Sequence, residues 1–308
     1  MKPLVIFLVG PTASGKSQVS VELARKINAE IISCDSMQVY RGMDVLSGKL
    51  SKRQRKGIVH HLIDIQEPKK EYNVSMFQTQ ALKLIKKIYS RNKIALIVGG
   101  TGLYARALTR GLFADKGQDI LLRKRLYKQA QQKGNDYLYK QLEKIDPKTA
   151  AGIHPHNLRR VIRAIEAYKV NKIRLSELKT KSKGLGQDYQ VKIFGLRWPR
   201  EQLYKRIEKR VDAMFINGIV KEVEKLSKLQ LSQTAKQALG LKQVLSYLNK
   251  ECILTQAKDK LKQDTRRFAK RQLTWFRQEK DVAWIDVEAK GYSPEGIASQ
   301  ICILLKSE

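Results

Sequence analysis

The stretch Leu4-Val5-Ile6-Phe7-Leu8-Val9-Gly10-Pro11-Thr12-Ala13-Ser14-Gly15-Lys16-Ser17 decides the fold. Lys2 to Val9 reads as a strand buried on both faces, because parallel strands covered by helices are continuously apolar. Gly10 to Ser17 fits the pattern G-x-x-x-x-G-K-[ST]. The residues after it place Val19, Leu23, Ala24 and Ile27 on one face of a helix. Strand, glycine loop and helix are the setting a phosphate-binding loop requires. The glycines, Gly10 and Gly15, let the backbone N–H groups of Thr12, Ala13 and Ser14 converge on phosphate oxygens, and the helix N-terminus adds favourable partial charge. Lys16 offers a point charge to the terminal phosphate, and the Ser17 hydroxyl is of the kind that ligates Mg²⁺. The motif specifies a di- or triphosphate without saying which.

Reading outward, Glu30 to Ser33 and Ile94 to Val98 are further buried strands, and Val74 to Tyr89 carries a helical period. The succession β-α-β-α-β predicts an α/β fold: a P-loop NTPase-like parallel sheet core with helices on both faces. Strand character returns at Val191 to Leu196 and Val282 to Val287. Between about 118 and 183 only charged helical stretches are found: Leu121 to Lys133, Tyr137 to Lys144 and Leu158 to Tyr168, separated by Gly134, Asp146-Pro147 and His154-Pro155. Lys181-Ser182-Lys183-Gly184-Leu185-Gly186 reads as a linker. The expected organisation is a catalytic core of residues 1–115 and 188–308 with C-terminal helices, interrupted by an all-helical insertion domain over 116–187.

The chain has 308 residues, with 61 Lys+Arg against 29 Asp+Glu and a formal net charge of +32. Such an excess points to a polyanionic partner, nucleic acid first. The 42% of hydrophobic residues is ample for a core, which excludes disorder. The longest apolar run falls far short of the ~20 residues of a membrane span and lacks a signal-peptide cleavage pattern. Cys34, Cys252 and Cys302 are too few and too scattered for a disulfide framework or a zinc site. A reduced, cytoplasmic, monomeric protein without membrane association is expected.

Several residues invite chemistry. Asp35 follows the second strand, facing the crevice where α/β proteins bind ligands. Spacing alone leaves it equally a general base, a metal ligand or a turn cap. The strand Ile94 to Val98 ends in Gly-Gly-Thr where nucleotide hydrolases usually carry a metal-binding Asp. His60 and His61 are adjacent, so they do not share a face and are expected to be structural; His154-Pro155-His156 is expected to be a loop. Arg266, Arg267, Lys270, Arg271 and Arg277 lie in a stretch free of acids with Phe268, Trp275 and Phe276 between them. Basic residues can track phosphates while aromatics stack on bases, although part of that aromatic set is expected in the core. On these features alone, a P-loop small-molecule kinase using ATP and a non-enzymatic RNA-binding protein both stand as alternatives.

An ordered series of motifs narrows the field. After the P-loop come Asp35-Ser36-Met37-Gln38-Val39-Tyr40-Arg41-Gly42-Met43-Asp44, His60-His61-Leu62-Ile63-Asp64 and Val98-Gly99-Gly100-Thr101-Gly102-Leu103-Tyr104. Later come Ile153-His154-Pro155 with Arg159 to Arg163, Pro199-Arg200-Glu201 with Arg210-Val211-Asp212-Ala213-Met214, and Ala269-Lys270-Arg271-Gln272-Leu273-Thr274-Trp275-Phe276-Arg277. The set, spread over residues 4–287, resembles the bacterial type of the tRNA dimethylallyltransferase (isopentenyltransferase) family. The resemblance implies transfer of a dimethylallyl group from dimethylallyl diphosphate to N6 of adenosine 37 in tRNA, with Mg²⁺ as cofactor. It implies Asp35 as the base and Thr101 at the reacting centre. Arg210 would join the P-loop on the diphosphate. Ser36, Met37 and Gln38 would line the adenosine, with Arg123, Arg159, Arg160, Val161, Ile162 and Arg163 touching tRNA. Two places depart from the family pattern: Ser47-Gly48-Lys49 follows Val45-Leu46 where Gly-Thr-Ala-Lys is usual, and Leu241 stands where Tyr is usual.

Overall fold

The computed structural model describes residues 2–112, 119–180, 182–279, 281–288 and 290–306. Strands β1 (Leu4–Val9), β2 (Ala29–Ser33), β3 (His60–His61), β4 (Ile94–Gly99), β5 (Gln190–Arg197) and β6 (Val282–Asp286) form one sheet in the order β3-β2-β4-β1-β5-β6. Every ladder is parallel. In β1, Phe7 lies opposite Ile97 of β4 on one side and Ile193 of β5 on the other. This inner position explains the unbroken apolar run: helices cover both faces, so neither set of alternating side chains meets water. Ile6, Leu8, Leu96, Val98 and Leu196 share a core cluster with Val19, Leu23 and Ala24 of helix Lys16–Lys26.

The sequence reading misses β3, because two residues carry no periodicity. The strand exists because His60 and His61 pair with Ile31 and Ile32 of β2. His61 Nε2 also lies 2.7 Å from Glu30 Oε2, and His60 Nδ1 lies 2.8 Å from the Ile58 carbonyl. Helix Val74–Tyr89 starts where Asn73 accepts the N–H groups of Ser75 and Met76, both at 3.0 Å, the usual way a helix N-terminus finds its missing acceptors.

By compactness the chain divides into two units. One runs through Thr109 and resumes at Asp188; the other spans Arg110–Gln187. The expected boundary between 115 and 116 lies outside the described residues, as does Lys181 of the expected linker. Every element of the second unit among the described residues is helical: Ile120–Lys133, Asn135–Ile145, Pro147–Ala150, Leu158–Asn171, Leu175–Thr180 and a 3-10 turn at Leu185–Gln187. Its core gathers Leu126, Leu138, Leu142, Val161, Ile162 and Ile165. Asp146, 2% exposed, is more than a helix breaker. Its carboxylate accepts from the Thr149 N–H at 3.0 Å, the Thr149 hydroxyl at 2.6 Å and the Ser176 N–H at 2.9 Å, joining three segments.

Candidate active site

The P-loop, Asp35 and Thr101 each follow the C-terminal end of a parallel strand, where the sheet leaves a crevice. The P-loop follows β1. Helix Lys16–Lys26 begins at Gly15, whose φ of 89° is open to glycine at little cost. Gly10 lies outside the cavity lining; a Cβ there would come 2.9 Å from the Leu196 carbonyl of β5, so its part is close packing. Lys16 Nζ donates to the Pro11 carbonyl at 2.6 Å. Burial pushes the Lys16 ammonium down to about 7; Asp35 opposes the shift and the charge of Arg210 adds to it.

The loop is braced from other elements. Trp198, just past β5, donates from Nε1 to the Ser14 carbonyl at 3.0 Å. Arg206 Nε donates to the Ala13 carbonyl at 2.9 Å, and its guanidinium lies 4.2 Å from the Trp198 ring centre and 4.6 Å from that of Tyr292. The Thr12 N–H, expected in the phosphate cradle, donates to Gln272 Oε1 at 2.7 Å. One turn beyond Arg206 on helix Arg200–Ile216 stands Arg210. Its Nη2 lies 3.5 Å from the Ser47 carbonyl. Burial lowers its proton affinity, with Asp35 opposing.

The departure at Gly48 belongs to this approach: Gly48 has φ 62°, and a side chain there would collide with the Arg210 guanidinium. The other departure adjoins it. A Cβ on Gly240 would come 2.9 Å from Leu46 Cδ2, so Leu46 packs beside the turn that leads into Leu241. Helix Asp44–Ser47, too short to stand alone, is capped from outside. Both carboxylate oxygens of Glu222 accept the N–H groups of Asp44, Val45 and Leu46, each at 2.8 Å. Lys49, its side chain 3% exposed, ties the segment down through Asp44 at 2.9 Å and Asp64 at 2.5 Å.

After β2, Asp35 Oδ1 accepts the N–H groups of Met37 at 2.8 Å and Gln38 at 3.3 Å. The turn-cap role left open by spacing is therefore real for one oxygen, and it fixes the carboxylate's direction. Ser33 Oγ donates to Gln38 Oε1 at 2.9 Å, and Thr101, after β4, accepts the Ser36 N–H at 3.2 Å. Residues 12–17, Asp35, Ser36, Met37, Gln38, Thr101 and Arg210 all line one cavity of about 690 Å³. Four cationic side chains besides Lys16 border it, Arg206, Lys209, Arg210 and Arg271; Asp35 is the acid in its described lining. Phe268 also lines it, whereas Phe276 is core at 1% exposure. Among the described residues no group of three His, Cys, Asp or Glu side chains is placed to hold a metal ion. Ser17 in the lining, with no acid cluster, is a donor set that fits a magnesium ion taking its remaining ligands from substrate phosphate oxygens and water.

Arg123, Arg159, Arg160, Val161, Ile162 and Arg163 belong to the helical unit. Arg159 and Arg160 are exposed. Val161 and Ile162 are 0% and 2% exposed in that unit's core, so the expected contact with tRNA does not hold for their side chains. Arg123 and Arg163 both pair with the fully buried Glu166, at 2.9 Å and 2.8 Å. Glu166, Glu222 and Arg206 drew no attention in the sequence, since a charged group's partner across the fold leaves no local signal. Gln272 stood inside a quoted motif without a role.

The family model for IPP transferase matches residues 38–279, a span that begins after the P-loop and Asp35. The tRNA dimethylallyltransferase of Halothermothrix orenii is 46% identical over 291 residues, 94% of this chain and 89% of the relative. That of Acetivibrio thermocellus is 46% identical over 285 residues, 92% and 91%. A crystal structure of the tRNA isopentenylpyrophosphate transferase from Bacillus halodurans superposes with a TM-score of 0.71 at 40% identity, covering 100% of this chain and 98% of that one. A eukaryotic dimethylallyltransferase acting on tRNA gives 0.81 at 30% identity, covering 98% and 78%. With a family model spanning most of its length and relatives of this similarity aligned nearly end to end, the chain belongs to the IPP transferase family, the family of the tRNA dimethylallyltransferases.

Proposed function

We propose that the cavity transfers a dimethylallyl group from dimethylallyl diphosphate to N6 of adenosine 37 of tRNA; prenyl transfer to tRNA is the activity that the chain's family carries. The observation that supports the finer reading is the meeting, in one cavity, of a phosphate loop with two desolvated cations and a carboxylate whose direction is fixed. The N6 lone pair of adenine is delocalised into its ring, so the amine needs a base. As N6 bonds to the allylic carbon, the C–O bond breaks, diphosphate leaves with the electron pair, and Asp35 takes the amine proton. Base help of this kind contributes typically ~10²–10⁴. Lys16, Arg210 and the loop amides Ala13, Ser14 and Gly15 receive the charge that builds on the leaving group. A magnesium ion held at Ser17 and by the substrate would add charge neutralisation there. The adenosine must leave its stack to reach Asp35, Ser36, Met37, Gln38 and Thr101, at a few kcal/mol.

Arg159 and Arg160 of the helical unit, with Lys270, Arg271 and Arg277 of helix Leu254–Arg277, supply exposed positive charge for the RNA backbone. No helix of the described residues is long and apolar enough to cross a membrane. The test is incubation of the protein with dimethylallyl diphosphate, Mg²⁺ and tRNA, followed by digestion and mass analysis for N6-dimethylallyladenosine. ATP hydrolysis or ATP-driven phosphorylation without that product would favour the kinase reading instead.

A further inference from the structure

Gln272 lies on helix Leu254–Arg277, is 7% exposed and engages backbone with both ends of its amide. Oε1 accepts the Thr12 N–H at 2.7 Å, and Nε2 donates to the Gly100 carbonyl at 2.9 Å. The two partners dictate the amide's orientation, since an N–H needs the carbonyl end and a carbonyl needs the NH₂ end. Thr12 belongs to the P-loop after β1. Gly100 precedes Thr101 after β4. These loops belong to adjacent strands yet are 88 positions apart in the chain. Gly100 has no room for a side chain, which would collide with Gln272 Nε2. Phe268 and Arg271, one turn and one residue before it, line the cavity together with Gln272 itself.

We propose that Gln272 is a positioning residue for prenyl transfer: its amide sets the spacing between the loop that holds the diphosphate and the loop that holds the acceptor. The assignment of the two loops rests on the reaction proposed above. In-line displacement requires nucleophile, allylic carbon and leaving oxygen to be aligned, and a displacement of about 1 Å can cost ~10²-fold in rate. The amide acts as the strut that keeps that alignment, both of its ends being engaged by loop backbone.

Two near-isosteric variants and three readouts test this. Gln272→Met removes donor and acceptor together and should lower kcat by about 10²-fold at every pH, with tRNA affinity unchanged and a lower melting temperature, since the Thr12 N–H and the Gly100 carbonyl lose their partners. Gln272→Glu keeps the acceptor for Thr12 but sets a carboxylate oxygen against the Gly100 carbonyl. Its activity relative to wild type should therefore rise as pH falls, because the protonated carboxyl donates to Gly100 again. Titration with pyrophosphate at pH 8 should show Gln272→Met binding the anion more weakly because Thr12 is no longer held, and Gln272→Glu binding it more weakly because a carboxylate then stands beside the loop. Near-normal kcat in Gln272→Met, or the same fractional loss in both variants at every pH, would overturn the proposal. If Gln272→Met fails to fold, the pH response of Gln272→Glu decides alone. A wild type that makes no prenylated adenosine would sink the proposed reaction, and the pyrophosphate titration would still decide whether Gln272 orders the P-loop.

Discussion

Two pairs of cations, each expected to meet an anion from outside, have opposite surroundings in this molecule. In the cavity, Lys16 and Arg210 lose proton affinity through burial, and Asp35 is the carboxylate that acts on both. In the helical unit, Arg123 and Arg163 converge on Glu166, which is fully buried and accepts the Asp119 N–H as well. The first pair is under-compensated, which suits the diphosphate of the reaction proposed above. The second pair is already matched, and its chief work is to let a buried carboxylate exist. A count of arginines therefore says little about ligand binding until their internal partners are known. Desolvated cations without a matched anion store binding energy for a ligand, whereas matched ones stabilise the fold.

The largest effect expected from this contrast is at the shared acid. Asp35→Ala should lower turnover by ~10²–10⁴ with little change in tRNA affinity, measured by single-turnover prenylation and filter binding. Turnover near that of wild type would reduce Asp35 to the cap of its turn.

Next in size is Glu166→Ala, which would remove the buried carboxylate on which two guanidinium groups converge. Removing one partner of a buried pair costs ~3–5 kcal/mol. Because the side chains of Arg123 and Arg163 are each 30% exposed, solvent screening should bring the cost to about 2–3 kcal/mol. Hydrogen exchange should quicken in helices Ile120–Lys133 and Leu158–Asn171 and stay slow in β1 and β4. Equal loss in both places would mean the two units unfold as one.

A third effect follows from the depressed Lys16. A diphosphate beside it favours the charged form and raises its pKa. Below about pH 7 Lys16 is already protonated, so binding needs no proton. Above it, binding takes up a proton, and affinity falls by up to about tenfold per pH unit. Calorimetry of pyrophosphate binding in buffers of different ionisation enthalpy would detect that uptake at pH 8. Proton-neutral binding there would show that Lys16 stays charged in the protein alone.

The smallest effect separates the two kinds of arginine within one helix. Arg159→Ala should reduce the slope of log affinity for tRNA against log salt by about 1. Arg163→Ala should change that slope by less and lower the unit's melting temperature instead. Equal slopes for both variants would erase the distinction between exposed and matched arginines.

Much of this was legible along the chain. Helix Val74–Tyr89 matches its expected span, and strands Leu4–Val9 and Ile94–Gly99 lie within two residues of the expected apolar runs. The P-loop was legible because its spacing is local: the motif occupies eight consecutive residues, six of which line the cavity. Asp35 was legible as a candidate and not as a role, since one position after a strand serves equally for a cap or a base, and here one oxygen is a cap. Strand β3 was hidden by its brevity, and the capping of Asp44–Ser47 by Glu222 joins positions 178 residues apart at its far end.

Sequence alone determined the parallel α/β core, the phosphate loop, the helical character of the middle segment and, through the order of the motifs, the family. These depend on patterns written within a few tens of residues, which local sterics and apolar periodicity enforce. Tertiary structure alone decided which charges are available: that Thr12 is held by Gln272, that Gly48 makes room for Arg210, and that Arg163 answers to Glu166 while Arg159 faces water. The reason is physical. The strength of a charge or a hydrogen-bonding group is set by its desolvation and by the partners brought beside it, and those come from distant parts of the chain.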